Sequence, residues 1–472
     1  MLKRLAYLPG YFVVTTTTAI ARFFFVSLLI RNLGAAEFGR WSLFEPAVVV
    51  LSQLVLLGIN FGIIKQISQD RLSPIVALRA LFLAGQPLLI AVGTAVFFVS
   101  FRLGLAWPGP LFLALLIYTE SIFTLLFSSY RAAGSMGGFA VSSFLKVLAF
   151  LIVLVLALHY HLPKVHKAED IITWSFWTSL VGLASGFLAV RLLHFKQFFT
   201  PEERHESHWR IYIDAVRYGL PLLATGLLAM AIEFAARYIL NLYIDHAQLA
   251  TYVIYAKLSS IVEVLIITPF GLWWPTERFL WLESKDGGRR FFRAVSVAML
   301  VALLVAAGTL WLASDWVVSW FAPGVPPNRH VALLLIFSMV ARGMAYPLNV
   351  GALKEGKTHW NIYGALTAAV VNGALCFLLI PRFGIVGAAY ATILSHICYT
   401  AFLTVISQRI HPVPLPYLTM GGLIIISALL IIAVSRYLEA VPSLLKALVF
   451  SAISLMVFTP IVLPLLRVKN AE

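Results

Sequence analysis

Four cations and four carboxylates sit inside stretches of sequence that otherwise carry almost only hydrocarbon: Arg22, Arg237, Lys257 and Arg342, and Glu45, Glu120, Glu233 and Glu263. A guanidinium or ammonium held among apolar groups can line water or contact a substrate. A carboxylate in the same surroundings can take up and release a proton. Each such charge is costly in hydrocarbon, so each requires a function or a partner, and equal numbers of the two signs are also what mutual pairing would give.

The two explanations compete residue by residue. Glu233 and Arg237 are four apart on one helix and share a face, so they could neutralise each other. Arg237 also lies near a helix end, where a long side chain can reach water. Arg22 follows the hydroxyl run Thr15, Thr16, Thr17, Thr18 with no acid in reach on its own helix. A water-lined position explains it, or an interhelical pair with Glu45 or Glu120. Arg342 stands beside Gly343 and shortly before Pro347, where a freed carbonyl and a kink are expected. Its bland alternative is a structural partner for Glu263 or Glu233. Lys257 lies two turns from its helix start, so snorkelling competes with substrate contact. Glu120 has no basic residue one turn away and could carry a proton through a transport cycle, or be a hydrogen-bonded core group.

The elements that position these residues are apolar runs long enough to span a bilayer, which takes about 20 helical residues. Fourteen are legible: six from Tyr11 to Leu193 and eight from Tyr218 to Leu466, the fifth being Val141 to Leu158. The chain is 61% hydrophobic and 12% charged, with a mean hydropathy of +0.92, which excludes a soluble domain of this length. The runs lack period-two alternation, so the expected fold class is an all-α polytopic membrane protein rather than a barrel.

Sorting Lys and Arg alternately by connection places 22 on the side of the N-terminus and 9 on the other, with the four intramembrane cations apart. Both termini are therefore expected in the cytoplasm, and the net charge of +15 reads as topology and headgroup contact. No basic run is dense enough for nucleic acid. Cys376 and Cys398 fall inside helices, without a disulfide framework or metal-ligand spacing, so neither metal nor cofactor is expected. The first apolar run continues for a full span without a cleavage site and is expected to remain as a helix. Tryptophans near helix ends, among them Trp273, Trp274 and Trp316, fit an interfacial belt.

The longest polar connection, 194–217, divides the chain. The expected organisation is an N-terminal lobe at 1–200, a cytoplasmic linker at 201–217, a C-terminal lobe at 218–410 and two extra helices at 411–472. A faint repeat agrees with it: Arg22-Phe23-Phe24 followed by Phe38-Gly39-Arg40-Trp41 matches Arg237-Tyr238-Ile239 followed by Leu249-Ala250-Thr251-Tyr252. Parallel repeats with a substrate site between them near the midplane are a standard transporter plan.

Ordered motifs along nearly the whole chain resemble one family. They are Leu28-Leu29-Ile30-Arg31-Asn32-Leu33-Gly34, Glu37-Phe38-Gly39-Arg40-Trp41, Leu57-Gly58 and Ile63-Ile64-Lys65, then Tyr218-Gly219-Leu220-Pro221, Arg237-Tyr238-Ile239-Leu240, Tyr255-Ala256-Lys257-Leu258 and Pro381-Arg382-Phe383-Gly384-Ile385-Val386-Gly387-Ala388-Ala389. The set is similar to bacterial polysaccharide transporters, the oligosaccharide flippases. One departure is that Ala235 and Ala236, not an acid, precede Arg237.

The resemblance implies a two-lobed, pseudo-two-fold fold shared with multidrug extruders and the lipid II flippase, alternating access, and coupling to protons or sodium. It implies an undecaprenyl-pyrophosphate-linked oligosaccharide as substrate, membrane lipids and polysaccharide polymerase machinery as partners, and a bacterial inner membrane location serving surface polysaccharide such as lipopolysaccharide O-antigen. Under that reading Arg22, Arg237, Lys257 and Arg342 line the path of the phosphates, and Glu45, Glu120, Glu233 and Glu263 couple the ion. The alternatives are a multidrug exporter of the same superfamily and an integral membrane sugar polymerase or glycosyltransferase. The latter would ordinarily carry a large periplasmic loop, which this chain lacks.

Overall fold

The computed structural model describes residues 8–68, 74–102, 107–132, 143–146, 148–149, 167–192, 208–271, 273–274, 289–355, 359–413 and 415–466, with single residues at 105, 152 and 357. Among them there is no strand, as expected where backbone groups must be satisfied within each spanning segment. The fold is all-α and polytopic. By length and apolar composition nine helices of the described residues can cross a membrane, or ten if a bent pair is one span. Most of the expected fifth stretch, Val141 to Leu158, lies outside the described residues.

The helices are α1 (Leu8–Leu56), α2 (Ile59–Ser68), α3 (Pro74–Arg102), α4 (Gly109–Ala132), α5 (Ala168–Leu192), α6 (His208–Leu240), α7 (His246–Val262), α8 (Arg289–Phe321), α9 (Arg329–Leu348), α10 (His359–Ile410), α11 (Tyr417–Tyr437) and α12 (Ser443–Leu466). Two exceed any bilayer thickness because each joins two runs across a glycine. Gly34 in α1 has φ 79° and ψ 167°, and Gly384 in α10 has φ 54° and ψ −131°. A side chain is strained at such positive φ, so a glycine placed there turns the chain without a loop. A third break, between α1 and α2, bends the axis by 56° through Leu57 (φ 48°) and Gly58 (φ 79°).

The chain divides into two compact units, Met1–Met230 and Ala231–Glu472, with the boundary inside α6. In the first, α4 lies against α1, α2, α3 and α5. Leu56, Ile59, Ile63, Ile67 and Leu125 form a core with Ile211, Tyr212 and Ala215 of α6. Gly58 and Gly219 meet backbone to backbone, so that a methyl on either would collide with the other's carbonyl. Lys65 completes this contact with its ammonium 4.1 Å from the centroid of the Tyr218 ring.

In the second unit α8 packs against α9, α11 and α12, and α9 against α7 and α10. The Phe450 ring of α12 lies over Gly308 of α8, and Thr309 and Ser451 share a hydrogen bond of 2.7 Å. One end is tied by Arg329 to Asp315 (2.6 Å), the Asn328 amide to the Tyr255 hydroxyl (2.6 Å) and His330 with Tyr390 (2.9 Å). Trp274, one of the tryptophans expected in the interfacial belt, is fully buried among Phe270, Phe291 and Phe292.

Candidate functional site

Arg342 and Glu263 form the best-defined charged contact within the spans. The guanidinium grips the carboxylate with both arms, Nη2 to Oε1 at 2.8 Å and Nη1 to Oε2 at 3.2 Å. The pair is 79 residues apart in sequence and joins α9 to the helix that continues α7. Arg342 lies 13 residues from the start of α9 and six from its end, which puts it about 9 Å from the nearer end.

Glu263 opens a π-helical turn, Glu263–Ile267, closed by the Thr268 amide donating to the Glu263 carbonyl five residues back. Such a turn holds an extra residue in the helix and re-aims the side chains around it. An irregularity lies across from Arg342, in the partner helix, while α9 carries Pro347 in its last turn and ends at Leu348. Gly343 permits the close approach, since a Cβ there would lie 2.8 Å from Leu303 Cδ1 and 3.2 Å from Ile267 Cγ1.

Around the pair, Glu233, Tyr346 and Tyr399 are within electrostatic reach of Arg342. The buried His396 bonds the Ser338 backbone on the same side of α9 as this cluster. The side chains of Arg342 and Glu263 are 29% and 27% exposed. A charge turned toward lipid is heavily penalised, so an open edge of this kind is stable only against water or a polar ligand.

The first unit holds a second pair. Glu120 lies 11 residues from one end of α4 and 12 from the other, about 17 Å from each. Its two carboxylate oxygens both lie 2.6 Å from Lys146 Nζ. The ammonium also sits 4.2 Å from the centroid of Phe123, one turn along α4. Lys146 belongs to the short helical segment 143–146, and its aliphatic stem runs across Gly182 of α5: a Cβ on Gly182 would be 2.7 Å from Lys146 Cβ and 2.8 Å from Cγ. Charge counting assigns Lys146 to a loop, but its ammonium reaches the middle of α4.

The other candidates are dispersed. Arg237 is 4% exposed, with its guanidinium 5.0 Å from the Phe234 ring centroid, whereas Glu233 on the same helix is exposed. Lys257 on α7 and Glu45 on α1, just before Pro46, are both half-buried. Arg22 lies outside the described side chains. Glu263 and Arg342 are thus brought together with Glu233 nearby, Glu120 is joined to a residue sequence reasoning passed over, and Lys257 is not placed in either pair. Among the described residues no group of three His, Cys, Asp or Glu could hold a metal ion.

A sequence model of the family described as polysaccharide biosynthesis protein matches residues 10–276. No curated protein matches the sequence. Among solved structures, the lipid II flippase MurJ in an inward closed conformation superposes with a TM-score of 0.68 at 10% identity, over 95% of this chain and 99% of that one. An inward-facing multidrug resistance MATE family transporter of the MOP superfamily gives 0.59 at 11% identity, over 84% and 97%. MATE in a bent conformation gives 0.55 at 13% identity, over 89% and 94%. At these identities the likeness is one of fold. The fold is that of multi-pass flippases and transporters.

Proposed function

The chain belongs to the polysaccharide biosynthesis protein family, and from that premise we propose that it flips an undecaprenyl-pyrophosphate-linked oligosaccharide from the cytoplasmic to the periplasmic leaflet. The observation that carries this reading is the partly open Arg342–Glu263 pair inside the spanning helices, with Glu233 in reach. A pyrophosphate cannot enter hydrocarbon with its charge unmet, so its carrier must offer cations and water at membrane depth while the prenyl chain stays in lipid. Arg22, Arg237, Lys257 and Arg342 are the proposed cations. Binding has to remain modest, because a headgroup held too tightly in one state is never released in the next.

Alternating access supplies the movement. Glu45, Glu120, Glu233 and Glu263 are the proposed carriers of a proton or sodium ion that powers the return step. The proposal includes fourteen spans in two pseudo-symmetric lobes, bounded as at 1–200 and 218–410 with two added helices at 411–472. It also includes an inner-membrane location with both termini in the cytoplasm and delivery of the flipped sugar to a polysaccharide polymerase. Export of multidrug-type compounds is the second reading, kept open by the four acids within the spans, which suit a cationic cargo.

Reconstitution distinguishes the two. The sidedness of a lectin-detectable undecaprenyl-pyrophosphate oligosaccharide is followed in proteoliposomes with and without an imposed pH gradient. Protein-dependent, gradient-sensitive movement is expected. Absence of movement across several lipid-linked sugars, together with efflux of cationic dyes, would transfer the function to drug export.

A further inference from the structure

Lys146 has no place among the cations proposed above, yet four features of its surroundings describe a built position. Its ammonium contacts both oxygens of Glu120 at 2.6 Å in the middle of α4. The face of Phe123 offers that ammonium a second, uncharged seat at 4.2 Å. Gly182 leaves room for the stem that carries it there. The side chains remain 19% and 24% exposed, so the pair is open to a ligand rather than sealed in the core.

We propose that Lys146 is a phosphate-accepting cation of the first unit, held by Glu120 until the pyrophosphate of the lipid-linked substrate takes the carboxylate's place; this rests on the flippase reading. Four methylenes and three rotatable donors let an ammonium pass from one oxygen ligand to another without the planar match a guanidinium demands. The Phe123 face lowers the cost of the intermediate position, in which the ammonium has left Glu120 and not yet met phosphate. Because carboxylate and pyrophosphate compete for one cation, Glu120 weakens substrate binding in the resting protein. That is the behaviour a carrier needs if its cargo is to leave.

The test is titration of the full-length protein with farnesyl pyrophosphate in phosphatidylcholine nanodiscs. Glu120→Gln removes the competitor and keeps the ammonium, so binding is expected to tighten about fivefold, while Lys146→Met is expected to weaken it about tenfold. The double variant is expected to bind like Lys146→Met alone, and Lys146→Arg to restore most of the loss. Should Lys146→Met fail to purify as a folded protein, Glu120→Gln with Lys146→Arg carries the test.

Wild-type affinity in Lys146→Met, or weaker binding in Glu120→Gln with a lowered melting temperature, would reduce the pair to a structural one and overturn the proposal. Loss of the Lys146-dependent binding when phosphatidylglycerol is added to the discs would assign the cation to ordinary headgroups and also overturn it. If the wild-type protein binds no prenyl pyrophosphate at all, the flippase reading itself fails, a result separable from the others because no variant then differs from background.

Discussion

Two ion pairs within the described spanning helices are built from the same opposite charges and differ in geometry. In the second unit, Arg342 and Glu263 meet fork to fork, with the carboxylate fixed on a π-turn and the approach set by Gly343. In the first, a single ammonium on a flexible stem touches Glu120 and rests beside a ring. Two parallel hydrogen bonds fix an angle as well as a distance, whereas a point charge fixes only a distance. The guanidinium pair is thus suited to holding a geometry, and the ammonium pair to exchanging partners.

The largest effect expected from this contrast is at Arg342. Truncating one member of a hydrogen-bonded, largely enclosed charge pair leaves the other uncompensated, so Arg342→Ala is expected to lower flipping about 100-fold. Proteoliposome translocation at matched protein levels measures it. Exchange of the cation types then sharpens the comparison. Arg342→Lys loses one of two bonds and is expected to cost about tenfold, whereas Lys146→Arg, at a site without angular demand, costs about twofold to threefold. Equal losses in the two exchanges would erase the distinction.

Two glycines set the next step. Gly182→Ala pushes on the Lys146 stem and Gly343→Ala on Leu303 and Ile267, so each is expected to destabilise by about 1–2 kcal/mol in a detergent melting assay. Only the former should also alter farnesyl pyrophosphate binding through Lys146. The smallest effect on either ion pair is expected at the two helix breaks. Gly34→Ala and Gly384→Ala meet no neighbouring atom within 4 Å and suffer only backbone strain at positive φ, about 1–3 kcal/mol each in the same assay, with flipping at matched protein levels little changed.

What the sequence disclosed follows from range. Apolar length and composition are local properties, and they revealed an all-helical membrane protein. The glycines that fold α1 and α10 lie within the motifs that carried the family resemblance, since a positive φ is a demand on one residue. Pairing is not local. Glu263 was one of two acids compatible with Arg342, and choosing between partners 79 residues apart requires knowing which helices touch. Lys146 was missed because it stands only a few residues inside an apolar run, where counting assigns it to the loop, although its stem reaches inward over Gly182. No periodicity announces the π-turn, whose last residue, Ile267, lies against Gly343 of another helix.

That turn also has a consequence for experiments that read a helix by labelling. One residue is inserted into the spiral at Glu263, so the stripe of side chains running along α7 is rotated by about 100° beyond Ile267. A thiol-reactivity scan from His246 to Gly271 should therefore keep a helical rhythm up to Val262 and resume it one residue out of phase after the turn. Positions chosen by extending the α7 pattern would point away from the surface they were meant to report.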